Sequence, residues 1–352
     1  MKKVLLTAAI LATFANVAAA QSTVTVYGVI DLGLASVTNA TASTHVPTSA
    51  IPAYTGGDEF KMQSGIQAGS RLGFRGTEDL GGGMSALFNL EAGILADTGA
   101  SDQGGLLFGR QAWVGLKSNS LGTVTVGRQN PSHYLAWKSI DPMDDGFAAA
   151  GSNLIPTNGK RINNALKYAT PTISGFNADL FYALGEVTGD NSASRTLGST
   201  LAYQDGPLMV KLAYHALNNA TSTDKSTNIV LGGTYNFGIA KAHVAFNSNK
   251  GTGTLDSRDT LVGLTVPMGD SSFMLSYISK DDKSVANKDA TQLGLAYTYA
   301  LSKRTNLYTS FAKVSNDNGA TYRSYDSTAP ISGQTGAVGG TQEINVGIRH
   351  TF

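Results

Sequence analysis

Alternation of apolar and polar residues over short, evenly spaced segments is the strongest constraint that this sequence places on its fold. In TVTVYGVIDLGL, for example, Val24, Val26 and Ile30 fall on one face, and Tyr27 and Asp31 fall on the other. A period of two residues indicates a β-strand whose two faces meet different surroundings. Because the pattern returns along the whole chain, the sequence predicts an all-β fold.

Sixteen segments follow this pattern. Five precede residue 130, in the stretches TVTVYGVIDLGL, SRLGFRGTEDL, MSALFNLEAG, GRQAWVGLKS and GTVTVGRQ. The other eleven lie near residues 165–169, 176–184, 195–204, 208–217, 228–237, 240–249, 258–266, 273–280, 290–300, 304–313 and 341–352. No segment is apolar on both faces, as a strand of a sheet buried on both sides would be.

The connections between these segments alternate in length. Turns near residues 204–207 and 267–271 are short, whereas those near 185–194 and 314–340 are long and rich in Asp, Asn, Ser, Thr and Gly. Short turns at one end and long loops at the other are typical of outer-membrane barrels. Sixteen strands enclose too wide a space for side chains to fill, so an aqueous channel remains. We therefore predict a 16-stranded antiparallel transmembrane β-barrel.

The N-terminus has the features of a secretory signal. Lys2 and Lys3 precede an apolar run from residue 4 to 17, and three alanines end at Ala20. This order predicts a signal peptide over residues 1–20 and a barrel over 21–352. The alternative, an N-terminal membrane anchor, would need a longer apolar run. Since no later window is apolar enough for a transmembrane helix, we expect the exported chain to cross the outer membrane with strands.

Composition excludes several other functions. The chain has 26 basic and 25 acidic residues, and loss of Lys2 and Lys3 would change the net charge to −1. This charge does not indicate a basic surface of the kind that binds nucleic acid. The chain has no Cys, so it can form neither disulfides nor thiolate metal sites. Nucleophile-elbow, zinc-protease and phosphate-loop motifs are absent from the sequence. We expect no enzymatic activity, no cofactor and no bound metal.

Residues 130–161 interrupt the strand pattern. This segment has neither a period of two nor a sustained helical stripe, and it contains three clustered carboxylates, Asp141, Asp144 and Asp145. A long irregular segment within a compact domain usually has a function or is disordered. It follows the fifth strand, so it is the third long loop. We expect it to fold into the barrel and to constrict the pore.

Five stretches in this order resemble the general trimeric porins of Gram-negative outer membranes, of the type found in betaproteobacteria. They are VTVYGVIDLG, SRLGFRGTEDLGGG, GRQAWVGL with GTVTVGRQ, NNALKYATP, and the final VGIRHTF. The resemblance implies a water-filled channel for passive diffusion of small hydrophilic solutes and ions. It further implies a homotrimer embedded in outer-membrane lipid. It also implies that the terminal Phe352 is the signal recognised by the outer-membrane assembly machinery.

The resemblance also implies a set of pore residues. Stacked basic side chains on the barrel wall should face the carboxylates of the third loop. The matching wall positions are Arg71 and Arg110, to which strand parity adds Arg75 and Lys167. Asp141, Asp144 and Asp145 are the candidate loop acids. The role of Arg128, at the base of the loop, stays open between the pore and a subunit contact. Charges at a narrow point bias which ions enter, and we hypothesise a weak preference for anions.

Two alternatives remain at this point. One is a substrate-specific outer-membrane channel of the same fold, for a sugar or an anion. Tyr134, Trp137 and Phe147 of the 130–161 segment could provide the aromatic surface that a sugar channel needs. The other is an adhesive or structural role of the surface loops, which is compatible with a pore.

Overall fold

The computed structural model describes residues 23–40, 57–252, 255–324 and 340–352. The predicted signal peptide, residues 1–20, lies outside these ranges. Among the described residues, no helix is long and apolar enough to cross a membrane. The chain consists mostly of antiparallel strands joined in one sheet.

Strands account for eighteen elements of the described chain. They are β1 (Thr23–Ala40), β2 (Gly57–Ser64), β3 (Arg71–Gly81), β4 (Met84–Leu95), β5 (Ala100–Ser101), β6 (Gln111–Ser118), β7 (Gly122–Gln129), β8 (Ile162–Ala169), β9 (Phe176–Ala183), β10 (Thr196–Asp205), β11 (Leu208–Asn218), β12 (Lys225–Asn236), β13 (Lys241–Lys250), β14 (Asp256–Met268), β15 (Ser271–Asp282), β16 (Ala290–Ala300), β17 (Thr305–Asn316) and β18 (Gln342–Thr351). Within the described ranges, one α-helix, α1 (Ser132–Ile140), and two 3-10 turns, Gln103–Gly105 and Gly151–Asn153, lie in the connections.

These elements form a closed barrel of sixteen strand positions, as the sequence predicts. Strand β1 pairs along one part of its length with β2 and along the other with β3, so β2 and β3 share one position. Residues 65–70 separate them and are here called the break. Among the described strands, the two-residue β5 pairs with the end of β4 alone and adds no position.

Closure joins the first strand to the last. Strands β1 and β18 pair antiparallel from Val29 opposite Thr351 to Thr38 opposite Gln342. Beyond this ladder, the amide N–H of Gly28 donates to the Phe352 carbonyl oxygen at 3.0 Å. A side chain at position 28 would collide with the Phe352 ring, so glycine is required there. The C-terminal residue thus takes part in sealing the barrel.

The two faces of the wall differ in chemistry. Residues on one face are apolar and exposed, such as Val210 and Leu212 on β11 and Val262 on β14. The alternate residues on the same strands, such as Ala213 and Leu261, are buried. Because apolar residues face lipid in such barrels, the exposed face is the outer one. The buried and polar face is therefore the inner one.

Two features of the structure were not predicted from the sequence. Strand β2 lies outside the sixteen predicted segments, because its alternation spans only eight residues, GDEFKMQS. Helix α1 lies in the 130–161 segment, where no helical stripe was recognised. Its buried residues, which include Ser132 and His133, are not all apolar, and this hides the helical period. The alternation of short and long connections is as predicted.

Candidate functional site: the wall opposite the 130–161 segment

Helix α1 packs against the inner faces of β9 to β13. Ala136, Trp137 and Ile140 project from it into a buried apolar cluster. The wall contributes one small or aliphatic side chain from each of seven successive strands to this cluster: Ala213, Val230, Ala245, Leu261, Ile278, Ala290 and Val314. Removing this apolar surface from water fixes the helix to the wall.

Beyond the helix, the segment reaches the break between β2 and β3. Met143 and Phe147 pack with Ile66 of the break and with Tyr308 of β17 in a second buried cluster. The Phe147 N–H donates to the Ile66 carbonyl oxygen at 2.6 Å. The Phe147 and Tyr308 rings meet edge to face, with their centroids 5.8 Å apart. The segment is therefore fixed at a point far from its two ends.

Polar wall side chains bind the main chain of the segment along its path. His243 Nδ1 donates to the Ile140 carbonyl oxygen at 2.7 Å. Gln292 Nε2 donates to the Ala149 carbonyl oxygen at 2.9 Å. Because a buried irregular backbone cannot satisfy its own polar groups, such partners are needed to place it inside a barrel.

Two of the three predicted loop acids stabilise the segment itself. The Asp141 carboxylate accepts backbone N–H bonds from Met143 at 3.0 Å, Asp145 at 3.1 Å and Gly151 at 2.9 Å. Burial, together with the nearby Asp145, raises the pKa of Asp141 to about 7. Asp145 in turn binds Lys160 Nζ at 2.7 Å. Both aspartates are buried, so neither presents a carboxylate to a water-filled pore.

Asp144 is the one member of the predicted acidic trio that is exposed. Its side chain is 72% accessible, and its carboxylate lies 2.5 Å from Lys138 Nζ. The pair leaves little net charge on this edge of the segment. Of the three acids expected to face the pore, only Asp144 is exposed, and its carboxylate is paired with Lys138.

On the inner wall, Arg71 and Arg110 meet around Glu91, a residue that we had not singled out. Arg110 Nε donates to Glu91 Oε1 at 2.6 Å, and Arg71 Nη1 lies 4.0 Å from the same oxygen. The Tyr27 hydroxyl donates to Glu91 Oε2 at 2.9 Å. Arg71 also donates from Nε to the Gly69 carbonyl oxygen at 2.9 Å. Together these bonds hold two guanidinium groups side by side on the inner face.

A further arginine, Arg349 on β18, belongs to the same group and was missed. It lies opposite Asp31 in the β1–β18 ladder and acts electrostatically on Arg71. Strand parity could have found it, since its neighbours Ile348 and His350 lie on the opposite face of the strand. Asp31 is buried and binds the Ala68 N–H at 2.5 Å and the Tyr308 hydroxyl at 2.5 Å.

The remaining predicted basic residues lie apart from this group. Arg75 is exposed on the inner face, with its guanidinium 4.9 Å from the centroid of the Tyr27 ring. Lys167 lies near the short-turn end of β8 and interacts electrostatically with Asp179. Arg128 pairs with outward-facing Ala112, and its Nε donates to the Gly109 carbonyl oxygen at 2.8 Å. Its parity is that of the outer face.

The aromatic residues proposed for a sugar-binding surface are not available for one. Tyr134, Trp137 and Phe147 are 7%, 2% and 3% exposed, and all three contribute to packing of the segment. Within the described residues, no group of three or more metal-binding side chains is found.

Comparison with known proteins gives the family. The family model described as Gram-negative porin matches residues 7–319. This chain belongs to the Gram-negative porin family. An outer membrane porin of Bordetella pertussis is 35% identical over the full length of both chains, and outer membrane porin protein 32 of Delftia acidovorans is 34% identical, also over both full lengths. A solved anion-selective porin from Comamonas acidovorans is 30% identical and superposes with a TM-score of 0.77, covering 94% of this chain and 100% of its own.

As a porin, the protein resides in the outer membrane and forms a channel through it. The exposed apolar face of its wall is then the surface in contact with lipid. Aromatic side chains lie near strand ends on this face, including Tyr235, Phe237, Tyr299 and Phe352. Such residues suit the membrane–water interface, where one end of the ring is apolar and the other is wet.

Proposed function

We propose that this porin is a general diffusion channel for small hydrophilic solutes and ions, with a preference for anions. Its narrowest part, here called the neck, is the space between the 130–161 segment and the Arg71–Arg110–Arg349 group. A channel function of this kind needs no catalytic chemistry, cofactor or metal.

The charge imbalance between the two sides of the neck is the observation that carries this proposal. The wall side holds Arg71, Arg110 and Arg349 against Glu91 and the hydrogen-bonded Asp31. The segment side offers a single exposed carboxylate that is already paired with a lysine. Low-dielectric walls focus the resulting positive potential into the channel, which raises the local concentration of anions.

The relative from Comamonas acidovorans supports the same direction, since it is described as anion-selective. The substrate-specific alternative, in the form of a sugar channel, loses its main support because Tyr134, Trp137 and Phe147 are buried.

Reversal potentials across planar bilayers in a potassium chloride gradient test the proposal. We expect the wild-type channel to favour chloride and Arg71→Gln to shift the reversal potential towards cations. Lys167→Gln is the matched control, because it removes the same charge from the inner face but away from the arginine group. We expect its shift to be the smaller one.

Two results would contradict the proposal. Preference of the wild type for cations would exclude the anion assignment. Equal shifts from Arg71→Gln and Lys167→Gln would mean that the whole lumen, and not the neck, determines selectivity.

We further propose that the protein is a homotrimer and that Phe352 is recognised by the assembly machinery. The position of the Phe352 ring against Gly28, at the seam of the barrel, supports a role in completing closure. Native size in detergent before and after heating tests the trimer. The assembly role is tested by measuring the amount of folded protein in outer membranes for Phe352→Ala and for the wild type.

A further inference from the structure

A row of three side chains crosses the inner wall beside the arginine group. The strand registers place Arg75 on β3 opposite Asn89 on β4, and Asn89 opposite Trp113 on β6. Residues paired directly across an antiparallel ladder point to the same side, so all three point inward. Neighbouring strands lie about 4.8 Å apart, so the three residues occupy adjacent backbone positions on β3, β4 and β6 at successive steps of about that size.

Each member of this row has binding capacity left over. Within the described chain, the Arg75 side chain makes no ion pair or hydrogen bond, and its guanidinium lies 4.9 Å from the centroid of the Tyr27 ring. The Asn89 side-chain oxygen lies 2.9 Å from the Tyr27 hydroxyl oxygen, while its amide nitrogen has no partner among these residues. The row therefore presents a cation and an N–H donor side by side, which together suit a carboxylate.

Trp113 is held by its edge and not by its faces. Its Nε1 donates to Gln111 Oε1 at 2.9 Å, which orients the indole. Over the part of the chain that the structure describes, no aromatic ring or cation packs on it, and it is half-buried. Trp137, by contrast, is fully enclosed in the 130–161 segment.

Two glycines lie beside the indole and carry no side chain that could cover it. Gly127 lies opposite Trp113 on β7, and Gly115 follows on the same face of β6. At either position a Cβ would collide with backbone atoms, so glycine is required there. The side of the wall that is free of the 130–161 segment thus has an accessible flat aromatic surface beside a carboxylate-binding pair.

We propose that Arg75, Asn89 and Trp113 form a binding site for planar aromatic anions, such as aromatic carboxylates, on the wall of the channel. The carboxylate lies at Arg75 and the Asn89 amide, and the ring stacks on Trp113. Stacking adds to the affinity of a flat ring but adds less to that of a saturated ring with the same charge. The inference rests on the proposed channel function and assigns one solute class to it.

The test is block of the chloride current by two carboxylates of equal charge and similar size, benzoate and cyclohexanecarboxylate. The full-length porin is reconstituted in planar bilayers at neutral pH, and each anion is titrated. We expect saturable block, with benzoate about two- to tenfold more potent. Trp113→Leu should abolish this ratio, whereas Trp113→Phe, which keeps a flat ring but loses the N–H bond to Gln111, should retain part of it.

Two further variants separate the site from general effects. Arg75→Gln should weaken block by both anions and leave their ratio in place, because it removes charge and not the ring surface. Val114 is the next residue and faces outward, so Val114→Leu should change neither the strength of the block nor the ratio between the two anions. Chloride conductance close to that of the wild type shows that each variant has folded into an open channel.

Equal block by the two anions in a conducting wild-type channel would overturn the site and leave the channel function standing. Retention of the full ratio in Trp113→Leu would also overturn it. A wild-type protein that carries no current would refute the channel function and, with it, this inference.

Discussion

Two parts of the inner wall follow different chemical rules. On the covered wall, formed by the inner faces of β11 to β17, the inward side chains are mostly buried: small or aliphatic ones pack under the segment, and polar ones, such as His243 and the enclosed Lys280–Asp259 ion pair, have partners within the protein. On the free wall, formed by β3, β4 and β6, they are Arg, Glu, Asn and Trp, many of them accessible. The first resembles the core of a globular protein, and the second resembles a binding surface. This difference indicates that the free wall, which is only part of the lumen, determines which solutes pass through the channel.

The largest expected effect comes from placing a charge within the covered wall. Ile140 is completely buried in the apolar cluster beneath α1. An unpaired carboxylate there costs about 3–5 kcal/mol. Release of the segment avoids this cost, so Ile140→Asp should raise single-channel conductance and admit larger neutral sugars in liposome swelling. Ile140→Leu is the control and should behave as the wild type. An unchanged size limit in Ile140→Asp would show that the segment does not form the neck.

A smaller effect is expected from the free wall. Glu91→Gln removes the one carboxylate that lies between Arg71 and Arg110, and loss of a charge-assisted hydrogen bond costs about 1.5–3 kcal/mol. Because two guanidinium groups become uncompensated, anion preference should increase, in the direction opposite to Arg71→Gln. The reversal potential in a salt gradient measures this. A shift towards cations would mean that Glu91 mainly positions the arginines and does not offset their charge.

The smallest effect at neutral pH concerns the acid sensitivity of the segment, because it develops only as the pH falls. His133 in α1 stacks on His215 of β11, with centroids 3.8 Å apart, and burial lowers the pKa of His133 to about 4. The folded segment thus favours the neutral ring. The contribution of His133 to the stability of the folded segment is complete above pH 6.5. It falls as the pH drops towards 4, and the total loss is about 3 kcal/mol. His133→Phe removes the titration and keeps the packing.

The measurement is current noise of wild type and His133→Phe from pH 7 to pH 4. We expect acid to increase the noise more in the wild type. The Asp141 carboxyl, which burial makes easier to protonate, is present in both channels, so its contribution cancels in the comparison. Identical pH profiles would refute a role for His133.

Strand periodicity was sufficient for the barrel but not for the charges of the neck. Parity groups Arg71 and Arg75 on one face of β3, because alternation fixes the side to which a strand residue points. It could not reveal that the Asp141 carboxylate accepts hydrogen bonds from three backbone N–H groups, since an irregular segment has no sequence periodicity from which side-chain positions can be predicted. It also could not separate Lys167 from the arginines, because strand tilt and register set the height of a residue in the barrel.

The break between β2 and β3 has a consequence for the order of assembly. Ile66 comes from the beginning of the chain and Tyr308 from near its end, yet both contact the tip of the 130–161 segment. The tip therefore has no complete docking place until the last strands have joined the first. During biogenesis the aperture reaches its final dimensions only after the cylinder is sealed, so a partly assembled chain would present a wider and less selective opening than the finished one.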